Sequence, residues 1–170
     1  MAGTHTGVRM NAPAFILRDA LREDVPAIVG LIQDLALYER QPEDCHADPA
    51  LLEKHLFGPR PYAEAIVAEA GSELIGFALF FHNYSTWLTR PGLYLEDLYV
   101  KPERRGLGAG KALLERLARI AVSRGCGRME WSVLTWNEPA IGFYKALGAV
   151  PMDGWRTYRL TGDALTALGG

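Results

Sequence analysis

The stretch YVKPERRGLGAGKALLERLARIA, residues 99–121, decides the fold of this chain. A strand-like segment, LYLEDLYV, runs into it, and a long helix-forming run follows its three alternating glycines, Gly106, Gly108 and Gly110. The first turn of a helix has N–H groups without partners, and the macrodipole makes that end partly positive. Bare backbone at this point admits a bulky anion. The pattern therefore predicts a strand–loop–helix unit that binds an anion such as a pyrophosphate.

Spacing excludes two familiar phosphate-binding motifs. A P-loop requires G-x-x-x-x-G-K-[ST], but Arg105 stands at its first glycine and Ala112 at its hydroxyl position. The dinucleotide fingerprint G-x-G-x-x-G fails because Gly110 comes one place early. What remains is R-x-x-G-x-G, from Arg105 to Gly110, between a strand and a helix.

Length and composition indicate one globular domain. The chain has 170 residues, of which 49% are hydrophobic and 22% charged, with a net charge of -2. We expect a single domain over residues 1–170, with a loose leader at 1–13 and a C-terminal tail at 161–170. Basic residues form no stripe, which argues against a nucleic-acid partner. No apolar run is long enough to span a membrane or to serve as a signal peptide, so we expect a cytoplasmic protein.

Hydrophobic periodicity predicts a mixed α/β fold. The predicted order is βααβββαβαβ, in which the strands are AFILRDA, YAEAIVAEA, ELIGFALFFHNY, LYLEDLYV, RMEWSVL and WRTYRL. A seventh strand is expected around Val150. A run of strands followed by βαβ alternation predicts a central twisted mixed sheet of six to seven strands, flanked by helices on both faces.

The glycine segment resembles motif A of the GNAT superfamily of acetyl-coenzyme A-dependent N-acetyltransferases. WNEPAIGFYKALGA, residues 136–149, is similar to the second cofactor motif of that family, and the resemblance extends from about Phe15 to Leu160. YLEDLYV, RRGLGAG, WNEPAIGFYK and GWRTYRL together are most similar to the diamine (spermidine/spermine) and thialysine acetyltransferases. The resemblance implies the GNAT fold, acetyl-CoA as cofactor, a small amine substrate and a homodimer.

The resemblance also implies a role for individual residues. The cofactor-binding set falls on the end of a strand, the glycine loop and the start of a later helix: Leu98, Tyr99, Val100, Arg105, Gly106, Leu107, Gly108, Ala109, Gly110, Lys111, Asn137, Glu138, Pro139 and Ala140. The resemblance assigns Tyr38, Glu39 and Glu96 to the amine substrate and makes Tyr144 and Glu96 the catalytic pair. We add Asp97 and Asp153 to the predicted substrate-binding set, because a polycationic amine requires several carboxylates. No metal site is expected, because Cys45-His46 lacks a second ligand pair.

Acetyl transfer to an amine requires an uncharged nucleophile and a protonated leaving thiol. We expect Glu96 to assist deprotonation, Asp97 to support it electrostatically, and the Tyr144 phenol to donate a proton to the thiolate. Because Glu96 and Asp97 are adjacent on one strand, they point to opposite faces unless a β-bulge interrupts the alternation. Structural roles also fit two residues: Tyr144 as a core aromatic, and Asn137 as a helix N-cap.

Several substrates remain open. Asn83 and Ser85 stand where polyamine enzymes carry an acidic residue, so thialysine, a lysine-like amino acid or a diamine fits at least as well as spermine. The alternatives are an acetyltransferase for a protein lysine, a protein N-terminus or an aminoglycoside, and a CoA-binding sensor without turnover.

Overall fold

The computed structural model describes residues 14–170, and the predicted leader 1–13 lies outside the described residues. The helices and strands, in chain order, are β1 (Ile16–Asp19), α1 (Val25–Tyr38), α2 (Pro49–Phe57), β2 (Glu64–Ala70), β3 (Glu73–Ser85), β4 (Arg90–Val100), α3 (Ala109–Ser123), β5 (Met129–Trp131), α4 (Glu138–Ala146) and α5 (Gly162–Gly169). The chain groups into two compact units, one that ends at Ser132 and one that covers Val133–Gly170. A single domain over 1–170 stays a prediction.

The strands form one mixed sheet in the order β1-β2-β3-β4-β5. The pairings β1–β2, β2–β3 and β3–β4 are antiparallel, whereas β4 and β5 are parallel. Gly71, with φ 65°, makes the turn of the β2–β3 hairpin. The mixed α/β class predicted from the sequence is confirmed.

Helices α1 and α3 cover opposite faces of this sheet. Ile28, Leu31 and Leu35 of α1 pack against Val67, Phe77 and Tyr99, which lie side by side on β2, β3 and β4. A methyl group at Gly110 of α3 would lie 3.9 Å from Val100 and 4.0 Å from Leu98. Since neighbouring strand residues point to opposite faces, Leu98 and Val100 face α3 and Tyr99 faces α1.

The predicted strand count of six to seven is wrong for the described residues, which form five strands. Residues 155–160, WRTYRL, and the segment around Val150 are not strands. The Trp, Thr and Tyr content suggested a strand, but β-propensity is decided by pairing and packing, and no neighbouring strand pairs with this segment in the described chain. The predicted tail at 161–170 contains helix α5, and β4 begins at Arg90 rather than Leu93.

A partly buried ion-pair network joins β1, β2 and the start of α1. The Arg18 guanidinium donates to both oxygens of Asp24, at 2.6 and 2.9 Å, and to Glu69 at 2.5 Å. Asp24 is only 7% exposed and also accepts from the Leu21 N–H at 2.7 Å. Asp24 occupies the N-cap position of α1, but its side chain does not cap the helix because these partners hold it. The hydrogen bonds from Arg18 are the main cause of the lowered pKa of Asp24.

We predict that Asp24→Asn destabilises the fold at neutral pH by about 1 to 3 kcal/mol, because a buried charged pair loses one partner. The lowered pKa of Asp24 means that its stabilisation is present above the unfolded-state pKa and is lost as the pH falls through the folded-state pKa. The deficit measured by urea unfolding at pH 7 should therefore shrink as the pH falls below about 3.9, the ordinary pKa of aspartate.

The control is Glu53→Gln, which breaks the more exposed ion pair between Arg22 and Glu53. Exposed pairs contribute little, so its free energy of unfolding should change by less than about 1 kcal/mol. Equal losses in the two variants at pH 7 would contradict the role given to Asp24.

Candidate functional site

A β-bulge in β4 isolates Glu96. In the register with β3, Asp97 pairs with Leu79 and Leu95 pairs with Phe80, so Glu96 has no opposite residue. An extra residue of this kind bends the strand and re-aims the side chains beside it. The structure therefore contains the β-bulge that Glu96 and Asp97 require if both are to serve one site.

The bulge leaves a signal in the sequence. Leu93 and Leu95 face α3 before it, at odd positions, and Leu98 and Val100 face α3 after it, at even positions. The aliphatic pattern of LYLEDLYV therefore changes parity across Glu96. That change is the sequence signature of one inserted residue.

Three carboxylates interact at the bulge. Burial, together with the nearby charges of Glu96 and Glu39, raises the pKa of Asp97 to about 6. Burial alone raises the pKa of Glu39. Asp97 and Glu39 are half-buried, whereas Glu96 is exposed. The structure thus brings together three of the predicted substrate-binding residues from two elements that are distant in sequence.

Glu39 is placed where its charge costs stability. It is the C-cap of α1, directly after Tyr38, and its N–H donates to the Leu35 carbonyl at 2.9 Å. A helix C-terminus disfavours negative charge, and half-burial beside Asp97 adds to the cost. Like charges held together against stability are typical of functional sites.

The sheet opens beside Leu98, Tyr99 and Val100, the predicted cofactor-binding residues at the end of β4. The parallel pairing of β5 with β4 covers Leu93 to Leu95. From Glu96 to Val100, β4 pairs with β3 on one side, and in the described chain no strand pairs with its other side. Alternate backbone groups of Leu98, Tyr99 and Val100 therefore point toward that open edge.

The glycine loop presents an uncapped helix start. Gly106 and Gly108 have φ values of 83° and 84°, a left-handed conformation that favours glycine. Gly108 is the N-cap of α3 and has no side chain with which to bond the first-turn N–H groups. Ala109 is buried, and Leu107 is exposed. The start of α3 can accept an anion on its backbone.

The cations around the loop have other partners in this structure. Arg104 donates to Glu73 at 2.7 Å. The Lys111 ammonium lies 3.6 Å from Glu115, one helical turn away. The Arg105 guanidinium lies over the rings of Tyr38 and Tyr99. Sequence spacing signals the Lys111–Glu115 pair, but the contact of Arg105 with Tyr38 depends on how α1 packs and has no local signal.

Residues of the unit Val133–Gly170 complete the predicted set. The Asn137 side chain accepts from the Ala140 N–H at 3.4 Å, which confirms Asn137 as the N-cap of α4. Glu138, Pro139 and Ala140 form the first turn of that helix. The predicted acid Tyr144 is half-buried on α4, and Asp153 is exposed in a turn. Their catalytic and binding roles stay predictions.

Two features are absent from residues 14–170. No group of three or more His, Cys, Asp or Glu side chains is arranged to hold a metal ion there. Within the same range, no helix is long and apolar enough to cross a membrane.

Comparison with known proteins agrees with this geometry. Residues 28–149 match the Acetyltransferase (GNAT) family. The chain is 37% identical to a thialysine N-epsilon-acetyltransferase of Bos taurus over 169 residues, which cover 92% of this chain and 99% of the relative. It is 34% identical to the spermidine/spermine N(1)-acetyltransferase-like protein 1 of Homo sapiens over 161 residues, which cover 89% of this chain and 23% of the relative.

A solved structure has the same fold. An integron cassette protein from the mobile metagenome of V. cholerae superposes with a TM-score of 0.77 at 26% identity, covering 92% of this chain and 98% of that one. The family match spans both the bulged strand and the glycine loop. The chain belongs to the GNAT family and is an acetyl-CoA-dependent N-acetyltransferase.

Proposed function

We propose that this enzyme transfers the acetyl group of acetyl-CoA to the primary amine of a small polyamine, diamine or lysine-like (thialysine) substrate. The observation that carries the proposal is the cluster of three carboxylates formed by Glu39, Glu96 and Asp97. Three neighbouring acids suit a compact substrate with more than one positive charge. The similarity to a thialysine N-epsilon-acetyltransferase points to the same class.

The residues around the glycine loop fit acetyl-CoA. The start of α3, from Gly106 to Lys111, offers backbone N–H groups to a pyrophosphate, and no side chain occupies them as a cap. Leu98, Tyr99 and Val100 offer an open strand edge to the amide groups of a pantetheine arm. Bound there, acetyl-CoA supplies the activated acetyl thioester. Asn137, Glu138, Pro139 and Ala140 are proposed to contact its far side.

Direct attack by the amine is the proposed route. The ammonium group of the substrate first contacts the exposed Glu96 carboxylate. A proton then passes from the ammonium group to one of the three carboxylates, directly or through water. We extend the base role predicted for Glu96 to Asp97, because a carboxylate with a pKa of about 6 is a stronger base than an ordinary one and is still ionised at pH 7. Tyr144 donates its phenolic proton to the leaving thiolate. Tyr38 and Asp153 are proposed to contact the substrate.

We further propose a cytoplasmic homodimer. The family resemblance supports the dimer, and the C-terminal segment adds an observation. Trp155 and Tyr158, in the segment predicted as a strand, are 71% and 90% exposed. Large aromatic side chains at such exposure are typical of surfaces that bind another chain.

The experiment that tests the proposed function is thiol release from acetyl-CoA with a panel of amines: spermine, spermidine, short diamines, thialysine, lysine and an aminoglycoside. We expect kcat/KM to be highest for a small amine with two positive charges. Tyr144→Phe should lower kcat by about 100-fold or more, with little change in acetyl-CoA affinity, because a general acid contributes that much. The matched control is Tyr62→Phe at an exposed ring.

Turnover restricted to the aminoglycoside, or none on the panel while acetyl-CoA still binds, would overturn the substrate assignment. Unchanged kcat in Tyr144→Phe would remove this phenol from the mechanism.

We predict that Gly108→Asp weakens acetyl-CoA binding at least about tenfold in calorimetry, equivalent to 1.4 kcal/mol. The new carboxylate strains a backbone at φ 84°, bonds the first-turn N–H groups itself and repels the pyrophosphate.

Gly71→Asp is the matched control, since Gly71 also has a positive φ, 65°, and open space around its Cα, but lies in the β2–β3 turn. It should cost similar stability and leave the acetyl-CoA Kd unchanged. Equal affinities of the two variants would argue against the loop as the pyrophosphate site.

We predict opposite effects of Asp97→Asn on activity and stability. For the wild type, kcat/KM should fall as the pH drops through about 6, because Asp97 must be ionised to accept a proton. The variant should lose that pH dependence and about tenfold to 100-fold of its activity at pH 7.5.

A raised carboxyl pKa means that the ionised group opposes folding above the folded-state pKa, and that this cost disappears below the unfolded-state pKa. The variant should therefore gain stability at pH 7.5, on the order of 1 to 3 kcal/mol, and lose that advantage near pH 3. Asp163→Asn, at an exposed position on α5, is the control. A variant that is both fully active and no more stable would refute the role of Asp97.

A further inference from the structure

The Arg105 side chain contacts two aromatic rings. Its guanidinium carbon lies 4.8 Å from the ring centroid of Tyr38 and 5.9 Å from that of Tyr99. Its Nε donates to the Val100 carbonyl at 3.1 Å. A guanidinium over an aromatic face is attracted by the ring quadrupole, and its planar shape suits stacking. Three contacts therefore fix this side chain against α1 and β4.

The two rings differ in how firmly the fold holds them. Tyr99 is 5% exposed in the middle of the core between α1 and β4. Tyr38 is half-buried at the last residue of α1, where helices fray. The Arg105 guanidinium bridges the buried ring of Tyr99 and the ring of Tyr38 at the end of α1. It thereby restrains the end of α1.

The restrained end of α1 carries one of the three clustered carboxylates. Glu39 follows Tyr38 directly, and its charge acts on Asp97. The position of the Glu39 carboxylate relative to Asp97 thus depends on how the end of α1 is held. Arg105 is also the residue before Gly106, so one side chain joins the first glycine of the loop to the amine end of α1.

We infer that Arg105 is a positioning residue for the amine site, which acts by holding Tyr38 and Glu39 in place. The inference rests on the proposed function and differs from the pyrophosphate contact that the family resemblance implies for Arg105. A pyrophosphate ligand has its main effect on acetyl-CoA affinity. A positioning residue for α1 has its main effect on the amine.

The test is Arg105→Lys, which keeps the charge but loses the planar guanidinium and the Nε donor. Acetyl-CoA affinity is measured by calorimetry, and kcat and KM are measured with the best amine of the panel. We expect the amine KM to rise about threefold to tenfold while the acetyl-CoA Kd changes less than about twofold. Arg119→Lys, at an exposed position of α3, is the matched control.

An unchanged amine KM overturns the inference. A rise in the acetyl-CoA Kd that equals or exceeds the rise in the amine KM also overturns it, because it assigns Arg105 to the cofactor. A merely structural effect would lower the folded fraction and kcat without shifting the amine KM.

A double-mutant cycle tests the contact without any amine. Thermal unfolding is compared for wild type, Arg105→Lys, Tyr38→Leu and the double variant. If the guanidinium bridges the rings in solution, the double variant loses less stability than the two single losses combined. Additive losses overturn the inference. If no amine on the panel is acetylated, the proposed function fails, and this cycle still decides whether Arg105 holds Tyr38.

Discussion

The single extra residue at Glu96 is the constraint on which the site depends. Before the bulge, Leu93 and Leu95 face α3, and after it Leu98 and Val100 do, so the strand keeps its aliphatic residues on one buried face. The same change of parity places Asp97 on the α1 side, where the charge of Glu39 acts on it. One insertion thus satisfies the core and assembles the acids. Beyond the bulge β4 no longer pairs with β5, which leaves an open strand edge next to the acids.

Much of the fold was predictable because local patterns determine it. Helical spacing of apolar residues marks the helices α1, α3 and α4. Glycines with positive φ mark the ends of α3 and α4 and the turn of the β2–β3 hairpin, at Gly125, Gly148 and Gly71. The segment WRTYRL failed because a strand exists only with a partner, and a partner is not a local property. Helix α5 was missed because its short sequence, GDALTALG, offers little periodicity. Asp24 stands at the N-cap position of α1, but Arg18 on β1 holds its side chain instead.

The sequence allowed the residues of the site to be predicted, but not which of them has a shifted pKa. The sequence indicated Glu39 and Glu96 through the family resemblance and Asp97 through its place next to Glu96, and the structure brings their charges together. We expected a supporting role for Asp97, whereas burial makes Asp97 the group with the shifted pKa, and burial depends on the packing of α1 against β4. The same packing places Arg105 over Tyr38. Neither effect has a signature in the residues next to it. Both follow from where a helix and a strand meet.

The most direct test of this account is the pKa of Asp97 in the folded enzyme, measured by NMR titration of its carboxyl carbon. The account predicts a pKa of about 6 in the wild type. It also predicts a lower value in Glu39→Gln and in Glu96→Gln, since each variant removes one neighbouring negative charge. A wild-type pKa near 4, the ordinary range for aspartate, would contradict it, because Asp97 would then be neither buried nor close to the charges of Glu39 and Glu96.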